Sequence, residues 1–225
     1  MLLKRVTLIT NFLFLSFLVG AQVNQEDSLK NLLRDSKGNQ KLQILFKLSE
    51  LKTYDPEGIE YAKDAIDAAK KIDEKSKADA EHNLGYIYSL RGQDDLALDC
   101  FNKSLEISKT SKYLFGTFRA LEGIAQAYMY LDSIKLSEKT SRYLLDLALK
   151  NDSIKQEANA YFQLGKICEQ NENYDSAIVL LNKALEIRKV INDKKDIAKT
   201  YNGLGKLYYE NVDYQKSIEY YNDAI

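Results

Sequence analysis

The chain has 225 residues and 25.8 kDa, with 45% hydrophobic and 29% charged residues, so it can bury a core and is not disordered. Thirty-two Lys and Arg against 33 Asp and Glu leave a net charge of −1, without the basic surplus of a nucleic-acid binder. One proline and ten glycines are too few for the many turns of a β-sandwich, and one histidine with two cysteines excludes a zinc finger, a disulfide scaffold and a multi-histidine metal site.

The first segment reads as an export signal over residues 1–21. Lys4 and Arg5 form a positive start, Val6 to Gly20 is almost wholly apolar, and Val19-Gly20-Ala21 places small or β-branched residues ahead of a cut before Gln22. The apolar run is about 15 residues with Asn11 inside it, short of the roughly 20 needed to span a bilayer. A lipid-anchored signal would need Cys where Ala21 stands. Cleavage leaves a mature chain near −3 with no membrane span, expected in the periplasm or outside the cell. Residues 22–40 are expected to hold a mobile polar leader over 22–27 and a short helix over Ser28–Arg34, ended by Ser36-Lys37-Gly38-Asn39.

From there on the chain repeats every 40 residues. Leu84, Leu164 and Leu204 are each followed by Gly, and Ile124-Ala125 fills the missing register. Glu81, Leu84, Gly85 and Tyr88 make one helical stripe, repeated by Leu121, Ile124, Ala125 and Tyr128, then by Tyr161, Leu164, Gly165 and Cys168, and by Tyr201, Leu204, Gly205 and Tyr208. After a polar turn, a second helix carries Ala97, Ser137, Ala177 and Ser217 in one small-residue column, which lets paired helices approach closely. Phe101, Leu181 and Tyr221 follow in a large-residue column, in which Ser141 is out of place. Upstream, Leu45, Leu48 and Leu51 with Gly58, Ala62, Ala65 and Ile66 read as a degenerate first unit, Pro56 opening its second helix. Cys100 and Cys168 fall two units apart on different helices, too far for the roughly 7 Å that a disulfide spans, and read as buried free thiols.

Residues 81–101, E-x2-L-G-x2-Y and then A-x3-F, resemble the tetratricopeptide repeat, with Glu81 where the first aromatic belongs and no proline closing the second helix. The missing breaker predicts helices longer than usual, which accounts for 40 residues per unit rather than 34. The resemblance implies an all-α fold, a right-handed superhelical solenoid of antiparallel helix pairs. Its units are a degenerate repeat at 41–77, a repeat at 78–117, a degenerate one at 118–157, a repeat at 158–197 and an incomplete last one at 198–225. Ile225 aligns with Leu185, inside a helix, so the native protein is expected to continue beyond it, and an uncovered last repeat could self-associate.

In that family the first helices line a concave surface, which here implies a groove of Asp79, His82 and Tyr86, then Arg119, Glu122, Gln126 and Met129, then Asn159, Phe162 and Lys166, then Lys199, Asn202 and Lys206. Some members clamp a peptide carboxyl terminus with Lys and Asn where His82 and Tyr86 stand here, which argues against that use. Aromatic and amide groups mixed with Lys166, Lys199 and Lys206 suit a moderately acidic or amphipathic peptide instead. Most of the 16 tyrosines, among them Tyr88, Tyr128, Tyr161, Tyr201, Tyr208 and Tyr221, fall in the packing columns rather than on a nucleic-acid stacking platform.

No nucleophile elbow, phosphate loop, dinucleotide fingerprint or metal motif is visible, and His82 has no partners for a catalytic set. No cofactor and no metal are expected. The sequence therefore reads as an exported, non-catalytic scaffold that binds a protein or peptide. The alternative is the N-terminal sensory part of a longer membrane-bound signalling protein, a histidine kinase or a transcription regulator.

Overall fold

The computed structural model describes residues 25–225, so the signal expected at 1–21 lies outside the described residues. These residues form eleven helices and no strand. Helix α1 covers 25–35, α2 is Gly38–Leu51 and α3 is Pro56–Ala69. Eight more follow: α4 Glu74–Leu90, α5 Asp94–Thr110, α6 Leu114–Tyr130, α7 Ile134–Lys150, α8 Ile154–Gln170, α9 Tyr174–Val190, α10 Lys194–Glu210 and α11 Tyr214–Asp223. From α4 to α10 every helix has 17 residues and every turn three, which is how a pair comes to 40. Each even-numbered helix from α4 on starts four residues before the unit boundaries read from the sequence, because the repeat signature begins one helical turn inside the helix.

The seven three-residue turns share one geometry. Their middle residues are Gly92, Lys112, Asp132, Asp152, Glu172, Asn192 and Val212, twenty apart, all with φ between 51° and 69°. In the first, the Gly92 N–H donates to the Ser89 carbonyl at 3.0 Å and the Gln93 N–H to the Tyr88 carbonyl at 2.9 Å. The last repeats this with Val212 to Tyr209 at 3.1 Å and Asp213 to Tyr208 at 2.8 Å. A left-handed residue thus satisfies the orphan carbonyls at each helix end, the task the missing proline leaves open. Only one of the seven is glycine.

Packing is local. From α2 on each helix contacts its chain neighbours, and α2 also meets α4, α4 meets α6 and α6 meets α8, whereas no comparable contact joins α3 to α5, α5 to α7 or α7 to α9. The even-numbered helices therefore form the inner layer of the solenoid, tightest from α2 to α8. The small-residue column holds the layers together: Ala97, Ser137, Ala177 and Ser217 are all buried. Where that residue is Ser, its hydroxyl donates to an inner-helix carbonyl, Ser137 to Ala125 at 2.7 Å and Ser217 to Gly205 at 2.8 Å.

The large-residue column wedges between successive inner helices. A Cβ on either Gly85 or Gly123 would come within 2.8 Å of the Phe101 ring, and one on Gly203 within 2.9 Å of Leu181. Ser141 stands in this column opposite Ala125 rather than Gly, and Gln163 occupies the position of Gly123 and Gly203. The Ser141 hydroxyl meets Gln163 Oε1 at 3.4 Å, and Gln163 Nε2 donates to the Glu122 carbonyl at 3.0 Å. What looked like a missing apolar residue is a volume exchange.

Several expectations need correction. The leader expected to be mobile over 22–27 is helical from residue 25, and Glu26 pairs with Lys30 at 2.6 Å and Lys52 at 2.8 Å. Cys100 is buried, its thiol pushed up to about 11 by burial, but Cys168 is only half-buried; both are free. The tyrosines straddle the boundary of the core: Tyr88, Tyr128, Tyr161, Tyr201 and Tyr208 are half-buried and Tyr221 is 41% exposed, since a phenol hydroxyl is kept wet unless paired.

Candidate functional site

The 13 groove residues predicted from the sequence all lie on α4, α6, α8 and α10. Twelve of them line two depressions on the inner surface, of about 330 and 370 Å³, which share Gln126, Phe162, Gln163 and Lys199. The first contains His82, Tyr86, Arg119, Glu122 and Asn159, and the second Met129, Lys166, Asn202 and Lys206. Asp79 lies outside both, on α4 one turn before His82.

Much of this surface is committed to holding the inner helices together. Arg119 donates to Asp79 Oδ1 at 3.0 Å, and its Nη2 lies 2.9 Å from His82 Nδ1. A guanidinium has no acceptor, so this His82 nitrogen accepts and the ring carries its proton on Nε2. Burial, then the Arg119 charge, hold the His82 pKa down near 3, so the ring is neutral. It packs at 5.2 Å from the Phe101 ring, and Tyr113 donates its hydroxyl to Asp79 at 3.3 Å. Burial raises the Asp79 carboxyl against the pull of Arg119. Glu122, raised by burial, accepts from Asn159 Nδ2 at 2.9 Å. Glu169 is 9% exposed and accepts from both Lys166 and, at 2.6 Å, Lys206; the two lysines outweigh the burial that would raise its carboxyl. The links Arg119–His82, Asn159–Glu122 and Lys206–Glu169 all span 37 residues, which joins adjacent inner helices in a regular ladder.

Sequence reasoning missed Arg188. It comes from the outer helix α9, is 2% exposed, and reaches through to the inner layer. Its Nη1 donates to Thr200 Oγ1 at 2.6 Å and the Asp196 carbonyl at 3.2 Å, its Nη2 to Asn159 Oδ1 at 3.0 Å, and it lies 4.7 Å from the Phe162 ring centroid. A signal for it existed: positions 148 and 108, one and two periods earlier, hold Ala and Ser, so an Arg breaks a small-residue column. Phe162, expected on the open groove face, is instead 9% exposed and part of the core of α8–α10, because Arg188 and Lys199 both lie against its ring.

Exposed groups remain along the groove: Tyr86, Gln126, Lys199, Asn202 and Lys206. They offer an aromatic face, amide donors and acceptors, and ammonium groups, which suits recognition of an extended chain. His82 faces Arg119 and Phe101 rather than a nucleophile.

An array of antiparallel helix pairs with a polar inner groove defines an α-solenoid scaffold. Its units are those of a known kind: residues 78–111 and 156–225 match the Tetratricopeptide repeat, and the chain carries tetratricopeptide repeats. Among solved structures it is similar to BtubC from P. vanneervenii, with a TM-score of 0.67 at 18% identity over 92% of this chain and 87% of that one. A Rap protein complexed with Competence and Sporulation Factor gives a TM-score of 0.75 at 17% identity over 88% of this chain. The Rap conjugation gene regulator of plasmid pLS20, in complex with the Phr* peptide, gives 0.71 at 16% over 83%. The chain spans 57% and 54% of these two Rap structures. No curated protein matches the sequence. Among the described residues no helix is long and apolar enough to cross a membrane, and no cluster of His, Cys, Asp and Glu could hold a metal ion.

Proposed function

We propose that this protein is an exported, non-catalytic scaffold whose inner groove binds an extended segment of a protein or peptide. The observation that carries the reading is the pair of continuous depressions along α4, α6, α8 and α10, with exposed amide and aromatic groups above a floor already fixed by the inter-helix ladder. A floor held rigid before binding loses little entropy when a ligand arrives. Two structures that share the fold hold Competence and Sporulation Factor and the Phr* peptide, which supports a peptide for this groove as well. Export rests on Lys4, Arg5 and the apolar run ending at Ala21, and predicts a mature N-terminus at Gln22 by mass spectrometry. The same groove would serve if the repeats form the sensory part of a longer signalling protein.

The test is selection from a random peptide mixture. Peptides recovered on the wild type lose about tenfold or more in affinity when Tyr86→Ala and Gln126→Ala are combined, and keep it when Glu186→Ala changes the outer layer. Binding that follows Glu186 rather than the inner pair would reject the groove.

A further inference from the structure

The two halves of the groove differ in charge. The half nearer α4 carries Glu122 and Asp196 among its cations. The half bounded by α6, α8 and α10 is lined by Lys166, Lys199 and Lys206 and by no Asp or Glu. Of these lysines, Lys166 and Lys206 share Glu169. Lys199 makes no ion pair among the described residues; it lies along Phe162, 4.8 Å from the ring centroid. Beside it, the buried Arg188 guanidinium spends its donors on neutral oxygens, and its Nε has no partner. Two cations in no direct ion pair thus flank one aromatic ring, with Asp196 and Glu122 acting on both from farther off. Desolvation holds the Lys199 ammonium below the usual lysine range against the pull of Asp196, and Arg188 adds to the lowering, a position a bound anion would relieve.

The floor of this half is largely apolar: Ala125, Met129, Tyr130, Phe162 and Gly203 line it. Acidic groups bound it on both sides, Glu122 and Asp196 toward α4, and Glu169, Glu172 and Glu210 in the adjoining depression. A second or third negative charge on the ligand would meet these and be repelled. The depressions continue on either side of Lys199, so a ligand chain passes through rather than ends there.

We infer that this half of the groove takes an internal peptide segment with one carboxylate side chain next to one bulky apolar side chain, the apolar group on Met129 and Tyr130 and the carboxylate on Lys199. This rests on the groove reading above and narrows it: the ligand is singly acidic at this point, not an acidic run.

The protein contains no tryptophan, so the fluorescence of a Trp peptide reports binding directly. The probes are end-blocked Ser-Ser-Trp-Asp-Ser-Ser, the same peptide with Asn for Asp, one with three consecutive Asp after Trp, and one ending in a free Trp carboxylate. The Trp-Asp peptide is expected to bind about tenfold more tightly than the Trp-Asn peptide and more tightly than the other two. Lys199→Gln, at an exposed position, removes the Asp-over-Asn preference, whereas Tyr130→Ala weakens both peptides and keeps that preference. Equal binding of Asp and Asn peptides, tighter binding of the Asp run or of the free carboxylate, or binding by none of the four overturns the inference. The random-peptide selection then decides separately whether the groove reading stands: it survives if selected peptides still depend on Tyr86 and Gln126, and falls if they do not.

Discussion

A methyl group placed on Gly165 of α8 would overlap Cδ1 of Leu181 on α9, a side chain with no exposed surface. The glycine and the leucine are therefore one fitting, repeated as Gly85 with Phe101 and as Gly205 with Tyr221, and replaced by Ala125 with Ser141 in the weak unit. Gly165→Ala is expected to destabilise by about 1–3 kcal/mol through overpacking, and Leu181→Ala by about 2–5 kcal/mol through the cavity it leaves. Combined, they cost less than their sum, because the added methyl occupies part of the space the leucine vacates. Urea denaturation of the three variants measures this, and strict additivity would contradict the contact.

Val212 is the one β-branched residue among the seven left-handed caps, at φ 62°. That conformation is a genuine outlier for such a side chain, whose methyl groups crowd the backbone. Val212→Gly should raise stability by about 1 kcal/mol in spite of the greater freedom of glycine in the unfolded chain. Asn192→Gly should gain only a few tenths, since Asn tolerates this region. The midpoint of thermal unfolding reads both. An unchanged or lower midpoint for Val212→Gly would mean that its side chain contributes a contact the cap does not need.

Arg188→Ala restores the kind of residue found one and two periods earlier, yet should destabilise by about 2–3 kcal/mol, because Thr200 and Asn159 lose a buried partner and Phe162 its cation. Arg188→Lys should recover little. One ammonium cannot reach three oxygens placed for a planar fork.

His82 sets a pH dependence whose sign is fixed by its depressed pKa. Above its unfolded value of about 6.5 the ring is neutral in both states and contributes no slope. As pH falls from there toward 3, the unfolded chain binds a proton and the folded one does not, so stability drops by roughly 1.4 kcal/mol per pH unit in the steepest part. His82→Gln keeps an acceptor for Arg119 and removes this slope. Equilibrium unfolding of both proteins between about pH 6 and 4 compares them. The raised carboxyls of Asp79 and Glu122 work in the opposite sense, gaining stability on acidification, and remain in the variant as an internal reference.

The sequence by itself determined the helix pairs, their 40-residue period and the face that lines the groove, because each follows from spacing along one helix: Leu84, Leu164 and Leu204 recur in register, and residues three, four and seven apart share a side. The small column of Ala97, Ser137, Ala177 and Ser217 was legible for the same reason, since close approach of two helices leaves room for nothing larger. Only the tertiary structure decided what that face is made of chemically. Asp79, His82, Arg119, Glu122 and Asn159 spend their polar groups on one another across helices some 37 to 40 residues apart, and Arg188 enters the site from the opposite layer. Periodicity places side chains on a face, but which donor meets which acceptor depends on the offset between neighbouring helices, and that offset is set by the wedging of Phe101 and Leu181 against glycines on two helices at once.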